Sequence, residues 1–179
     1  MEHRFSIILI GMMGAGKSTI GRLQAEAIGF QFIDADRELE ARSGVAIPTI
    51  FEIEGEDAFR RRESVLLDDL TQRHRVVLAT GGGAILDPET RQRLRERGLV
   101  IYLRASADEV YRRTRRDRSR PLLRTENPRE RIEQLLAERE PLYVETAHLT
   151  FQSAASNPKK LVERLKSHRD VQSVIASAT

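Results

Sequence analysis

Short apolar runs separated by amphipathic stretches set the rhythm of this chain. Ile7-Ile8-Leu9-Ile10, Phe30-Gln31-Phe32-Ile33, Val76-Val77-Leu78-Ala79, Leu99-Val100-Ile101-Tyr102-Leu103 and His148-Leu149-Thr150-Phe151 each read as a strand. Continuous apolar character, as in Val76 to Ala79, belongs to strands buried on both faces. Helical spacing lies between them. Thr19 to Ile28 carries Ile20, Leu23 and Ala27 and meets Gly29 where a helix stop belongs. Glu38 to Ser43 predicts a helix stopped at Gly44, and Ile47 to Ile53 another short one. Asp57 to Gln72 predicts a longer helix with Ala58, Phe59, Val65, Leu66 and Leu70 on its apolar stripe. Asp87-Pro88 is an N-cap and first-turn pair for a polar helix to Arg97, closed by Gly98. Further helices are expected from Ala107, from Pro128 to Tyr143, and from Asn157-Pro158 to about Leu165, while His168 to Thr179 shows no pattern and is expected to fray. Strand and helix alternating through about five strands predict an α/β fold, a parallel sheet covered by helices in three layers. No internal repeat, linker or low-complexity block interrupts it, so a single domain over residues 1–179 is expected.

Composition narrows the setting. With 40% hydrophobic and 32% charged residues, the 179-residue chain reads as a soluble globular protein with a real core. Zero cysteines exclude disulfides and thiolate metal sites and suit a reducing cytoplasm. No apolar run approaches the roughly 20 residues of a membrane span, and no signal-peptide pattern opens the sequence, so a cytoplasmic protein is expected. Net charge is +3, but it is concentrated: between Arg104 and Arg131 ten arginines face only Asp108, Glu109, Asp117, Glu126 and Glu130. Such a stretch is either a solvated helix face and loop or a functional cationic segment. The part from Arg112 to Leu123, basic and poor in core residues before Pro121, reads as a mobile lid over about 113–125.

The first strand breaks into Gly11-x-x-x-x-Gly16-Lys17-Ser18 and then a helix, the setting of a phosphate-binding P-loop within the stretch Phe5 to Thr19. Glycines let successive N–H groups curl toward a phosphate, and the helix behind adds the positive end of its dipole. Lys17 would reach the β- and γ-phosphates as a mobile point charge, and the Ser18 hydroxyl would ligate Mg²⁺. Lys17 is also the sole lysine before Lys159, every other cationic residue in that span being arginine or histidine. A compact charge on a flexible stem stands where a planar fork would not serve.

Three further clusters carry chemistry. Asp34-Ala35-Asp36 ends the second strand, at the carboxyl edge where open α/β sheets bind ligands. In extended chain the two carboxylates would share one face, suiting one to metal and one to substrate, although Asp36 could instead cap the helix Arg37 to Arg42. Arg60-Arg61-Arg62 cannot all lie on one helix face, and composition leaves open which points inward. Thr80-Gly81-Gly82-Gly83 exposes bare N–H groups at a strand's carboxyl end, or else is a flexible connection.

The ordered set Gly11 to Ser18, Asp34-Ala35-Asp36, Phe59-Arg60, Gly81-Gly82-Gly83, Arg120-Pro121-Leu122-Leu123 and Arg139-Glu140-Pro141-Leu142-Tyr143 resembles shikimate kinase, over residues 5 to about 165. The resemblance implies a P-loop kinase fold with a mobile lid, and transfer of the γ-phosphate of ATP to the 3-hydroxyl of shikimate. It implies that Gly14, Ala15, Gly16, Lys17, Ser18 and Thr19 hold the nucleotide phosphates, and that Ser18 with Asp34 holds Mg²⁺, Asp34 through water. Asp36 would bind shikimate hydroxyls and orient or deprotonate the attacked one. Arg60 and Arg139 would bind the carboxylate, and Gly81, Gly82 and Gly83 would meet the ring. Arg120 would swing onto the transferring phosphate, Arg113 would lie against the adenine, and base contacts would fall at Gln152, where family members often carry aspartate. No strand ends in the usual Walker-B aspartate, so the metal carboxylate rests on Asp34. The expected partners are ATP and shikimate, with neither nucleic acid nor membrane, and a monomer is expected. Another polyol-acid kinase such as gluconate kinase is the alternative enzyme. A nucleic-acid binder lacks interleaved aromatics, and a GTP switch lacks its Asn-Lys-x-Asp signature.

Overall fold

The computed structural model describes residues 6–117, 120–153 and 157–178. Five strands, β1 (Ile7–Ile10), β2 (Gln31–Asp34), β3 (Val76–Ala79), β4 (Leu99–Arg104) and β5 (Leu149–Gln152), form one parallel sheet in the order β2-β3-β1-β4-β5. β1, β3 and the first five residues of β4 are buried throughout, as strands covered on both faces must be. Helices α1 (Lys17–Ile28), α2 (Ala35–Ser43), α3 (Ile47–Leu70), α4 (Pro88–Arg97), α5 (Ala107–Thr114), α6 (Pro128–Thr146), α7 (Pro158–Lys166) and α8 (Arg169–Ser177) cover it. No described helix is long and apolar enough to cross a membrane. This is the α/β, P-loop kinase architecture that the strand and helix alternation predicts. Because β1 sits between β3 and β4, successive connections leave it in opposite directions, and the crevice above its carboxyl end is the topological switch point of the sheet.

Local sequence accounts for most boundaries. Asp87 and Asn157 cap α4 and α7 through their side chains, each with proline at the first helical position, and Ser106 with Glu109 forms a reciprocal capping box on α5. Four expectations need correction. The tail does not fray: His168 caps α8, whose Val171 and Val174 are buried, and Arg75 donates to the Ala178 carbonyl at 2.8 Å. The two helices expected between Ile47 and Gln72 run into one another as α3, broken only at Gly55, whose φ of 83° no helical residue adopts. Val65, placed on the apolar stripe, is 73% exposed, because at 3.6 residues per turn it lies well round the helix from Phe59, Leu66 and Leu70, which are buried. Asp34 and Asp36 do not share an extended face: the strand ends at Asp34, and Asp36 already lies in the first turn of α2. It is Asp34 that caps this helix, accepting from the Asp36 and Arg37 N–H groups. The expected lid spans the end of α5 and a single 3-10 turn at Pro121–Leu123, and its residues 118 and 119 lie outside the described residues, as does Phe5 of the first stretch.

Candidate active site

A cleft of about 880 Å³ opens at the carboxyl edge of the sheet and gathers segments from across the chain. Its floor is the turn between β1 and α1. Gly11, Gly14 and Gly16 adopt φ values of 143°, 71° and 90°, in the region that side chains with a Cβ avoid. Gly11 has a steric requirement as well, since a Cβ there would lie 2.5 Å from the Leu103 carbonyl oxygen. The Lys17 ammonium is buried and donates to the Gly11 and Met12 carbonyls at 2.7 and 2.8 Å. Burial lowers its pKa to about 8; Asp36 and Asp34 pull it up again, and Arg120 and Arg139 pull it down. Ser18 Oγ donates to Asp34 Oδ2 at 2.5 Å, joining helix α1 to the end of β2.

The other wall is built from α2, α3, the glycine turn and α6. Burial, then the neighbouring Asp34, pushes the Asp36 carboxyl above its usual range, against the pull of Lys17, Arg120 and Arg60. Arg60 points inward: its guanidinium donates to Glu56 at 2.9 Å and to Glu63 at 2.6 Å. Of the other two arginines in the triplet, Arg62 pairs with Glu54 on the surface and Arg61 is exposed. Arg139, in the middle of α6, is buried, and its Nε has no hydrogen-bond partner among the described residues. The glycines are required sterically here. A Cβ on Gly81 would strike Glu63 and crowd Asp36 at 3.0 Å, and one on Gly83 would strike the Arg60 guanidinium.

The lid side brings Arg113, Arg120, Pro121 and Leu122 to the cleft. Arg113 donates to the Gly14 carbonyl and to Ser153, tying α5 to both the glycine loop and the end of β5. Arg120 donates to Asp117 at 3.0 Å. In the basic segment Arg104 pairs with Glu140 and Arg129 with Asp108 and Glu133, so with Arg113 and Arg120 these four arginines are engaged within the protein, while Arg112, Arg115, Arg116 and Arg124 are exposed.

Gly14 to Thr19, Asp34, Asp36, Arg60, Gly81 to Gly83, Arg113, Arg120 and Arg139 thus line one cleft, as the sequence predicts. Gln152 does not: it ends β5 opposite Arg104, exposed, and the next residue, Ser153, reaches the cleft instead. Side chains alternate across a strand, so one residue of register moves the contact to the neighbour. Glu63 was not singled out, although its position three residues after Arg60 on one helix face was the available signal. Its carboxyl is pushed up by burial and pulled down by Arg60, and its Oε1 is buried without a partner beside Gly81. Nothing in the sequence pointed to Ser153.

Ser18 and Asp34 supply a hydroxyl and a carboxylate oxygen side by side, and no cluster of three or more acidic or histidine side chains occurs among the described residues. That sparse oxygen set suits Mg²⁺, which keeps water and phosphate oxygens in its shell rather than a full protein cage.

Comparison with known proteins agrees with this geometry. The family model for shikimate kinase matches residues 13–169. A curated shikimate kinase of Bordetella avium (strain 197N) is 56% identical over 165 residues, 92% of this chain and 79% of that one. One from Methylococcus capsulatus is 52% identical over 92% of both chains. The structure of shikimate kinase from Acinetobacter baumannii in complex with shikimate superposes with a TM-score of 0.88 at 47% identity, covering 91% of each chain. A gluconokinase structure from Sinorhizobium meliloti 1021 gives 0.53 at 19% identity and shares the fold alone. With a family model covering most of its length and relatives more than half identical, the chain belongs to the shikimate kinase family.

Proposed function

We propose that this enzyme transfers the γ-phosphate of ATP to the 3-hydroxyl of shikimate, giving shikimate 3-phosphate and ADP. The observation that carries the reading is the convergence of two guanidinium groups, the half-buried Arg60 and the buried Arg139, with the half-buried Asp36 carboxyl in the same cleft as the phosphate loop. An acceptor with one carboxylate and several hydroxyls needs cationic forks at one end and a carboxylate at the other. Arg60 spends three N–H contacts on Glu56 and Glu63, which fixes its plane and leaves the rest of the fork for the incoming carboxylate.

Asp36 accepts the hydroxyl proton as the oxygen attacks the γ-phosphorus, a new P–O bond forms, and the bond to the β-phosphate oxygen breaks to release ADP. Phosphoryl transfer is mostly positioning and charge neutralisation through a loose transition state. Asp36 therefore acts as much by orienting the hydroxyl as by its raised basicity. Lys17, the loop N–H groups and Arg120 take up charge on the phosphates, with Gly14 to Thr19 cradling them and Arg113 and Ser153 beside the base. Ser18, and Asp34 through water, would hold Mg²⁺, which when bound neutralises charge on the β- and γ-oxygens. Arg120, Pro121 and Leu122 close over the cleft to keep water from the γ-phosphate.

Following ADP release with Mg-ATP and either shikimate or gluconate tests the reading. Shikimate-dependent ADP is expected, and its absence overturns the assignment. A monomer is proposed, to be checked by light scattering, and cell fractionation is expected to find the protein with cytoplasmic ATP-using enzymes.

A further inference from the structure

The three consecutive glycines at residues 81–83 present a mechanical problem. Glycine is the least restrained residue, yet an acceptor site needs N–H groups fixed to a fraction of an ångström. Their carbonyls show how this is met. The Gly81 carbonyl accepts from Ala84 N–H and the Gly83 carbonyl from Leu86 N–H, both within the turn. The Gly82 carbonyl accepts from the phenol of Tyr143, on α6. None of the three glycine N–H groups has an acceptor among the described residues.

From this pattern we propose that Tyr143 is a positioning residue for the acceptor substrate: its hydroxyl holds the Gly82 carbonyl on the α6 side and so aims the Gly83 N–H at the cleft. The peptide joining Gly82 to Gly83 is planar and trans, so its carbonyl and its N–H point in opposite directions, and fixing one fixes the other. Gly83 lines the cleft directly against the Arg60 guanidinium. Tyr143 is itself immobilised. It is fully buried, its ring stacks on Tyr102 with centroids 4.9 Å apart, and its hydroxyl also shares a hydrogen bond with Arg139, one helical turn before it on the same face. Helix α6 therefore fixes both a carboxylate-binding fork and the glycine turn through one rigid element. Burial pushes the phenol pKa up, so the donor keeps its proton across the working range. Gly82 also packs on the phosphate loop, where an added Cβ would lie 3.2 Å from Met13 N, but the Tyr143 contact is on the acceptor turn and not on that loop.

This inference rests on the proposed acceptor reading, and the experiment separates the two. Tyr143→Phe removes only the hydroxyl and keeps the aromatic stack. Its KM for shikimate should rise about three- to tenfold, the size of one net hydrogen bond, with KM for ATP within about twofold of the starting enzyme and an unfolding midpoint near unchanged. Tyr102→Phe, which removes a hydroxyl without a hydrogen-bond partner from the same stack, should leave both KM values unchanged. Unaltered kinetics in Tyr143→Phe overturn the proposal. So does an equal loss toward both substrates with a lowered unfolding midpoint, which would make the residue merely structural. Failure of the acceptor reading itself would show earlier, as absence of shikimate-dependent ADP in the unsubstituted enzyme.

Discussion

The two halves of the cleft are built on opposite principles. The half proposed to hold phosphate rests on one contiguous segment, Gly11 to Thr19, whose recognition groups are mostly backbone N–H with the buried Lys17 ammonium, joined by Arg120 from the lid side. The acceptor half is assembled from α2, α3, the glycine turn and α6, and its recognition groups are charged side chains that hold one another, as Glu56 and Glu63 hold Arg60. A backbone cradle tolerates any polyphosphate that fits its curl, whereas a set of paired forks and carboxylates discriminates among acids by shape and charge position. Specificity therefore lives in the half that folding has to assemble.

The largest effect expected from breaking this contrast is in the phosphate half. Lys17→Ala should lower kcat by about 10²- to 10³-fold or more, the scale of losing one preorganised charge donor, without lowering the unfolding midpoint. Wild-type turnover in this variant would remove Lys17 from the chemistry. Arg60→Ala should raise KM for shikimate by about 10- to 100-fold, the range of a charged hydrogen-bonding contact, and leave ATP affinity nearly intact. Arg61→Ala, exposed on the same helix, should stay within about twofold in both. A reversed ranking of the two arginines would mean that the inward face of α3 is misassigned.

Acidity separates the halves more finely. The Lys17 ammonium titrates at about 8 in the free protein, below its ordinary 10.5. It is charged below pH 8 and loses charge as pH rises through that value, so ATP affinity at pH 9 should be about tenfold weaker than at pH 7. Bound phosphate restores the charge, so calorimetry in buffers of different ionisation enthalpy should register proton uptake on ATP binding above pH 8. Lys17→Ala should show neither effect. For Asp36 the sign is opposite: its raised folded pKa means that ionisation costs stability, which is present below the ordinary value of 3.8 and is lost as pH rises through the folded value. Asp36→Asn, which cannot ionise, should gain in unfolding midpoint relative to the unsubstituted enzyme as pH rises above about 4. A parallel pH dependence in both proteins would show that Asp36 carries no such cost.

Legibility in the sequence followed the same division. The strands, the caps Asp87 and Asn157 and the phosphate loop are local patterns, and all appear where residue spacing places them. The acceptor residues were reached through a family resemblance, because nothing local says that Arg60 rather than Arg62 turns inward. The misses share a cause. The helix over Ile47–Leu70 is joined across a break at Gly55, Ser153 rather than Gln152 reaches the cleft through one residue of strand register, and α8 orders by packing Val171 and Val174 into the core. Each is a consequence of tertiary packing on a segment whose own pattern is weak.

By itself, then, the sequence determined that this chain builds a parallel sheet and handles phosphate, since apolar runs, helix caps and glycines at positive φ act over a few residues. Tertiary structure alone decided that Asp36 faces Lys17 and that Tyr143 reaches back 61 residues to hold Gly82. Those are long-range charge and hydrogen-bond pairings, and they form only once the sheet has brought its carboxyl edge, α3 and α6 together.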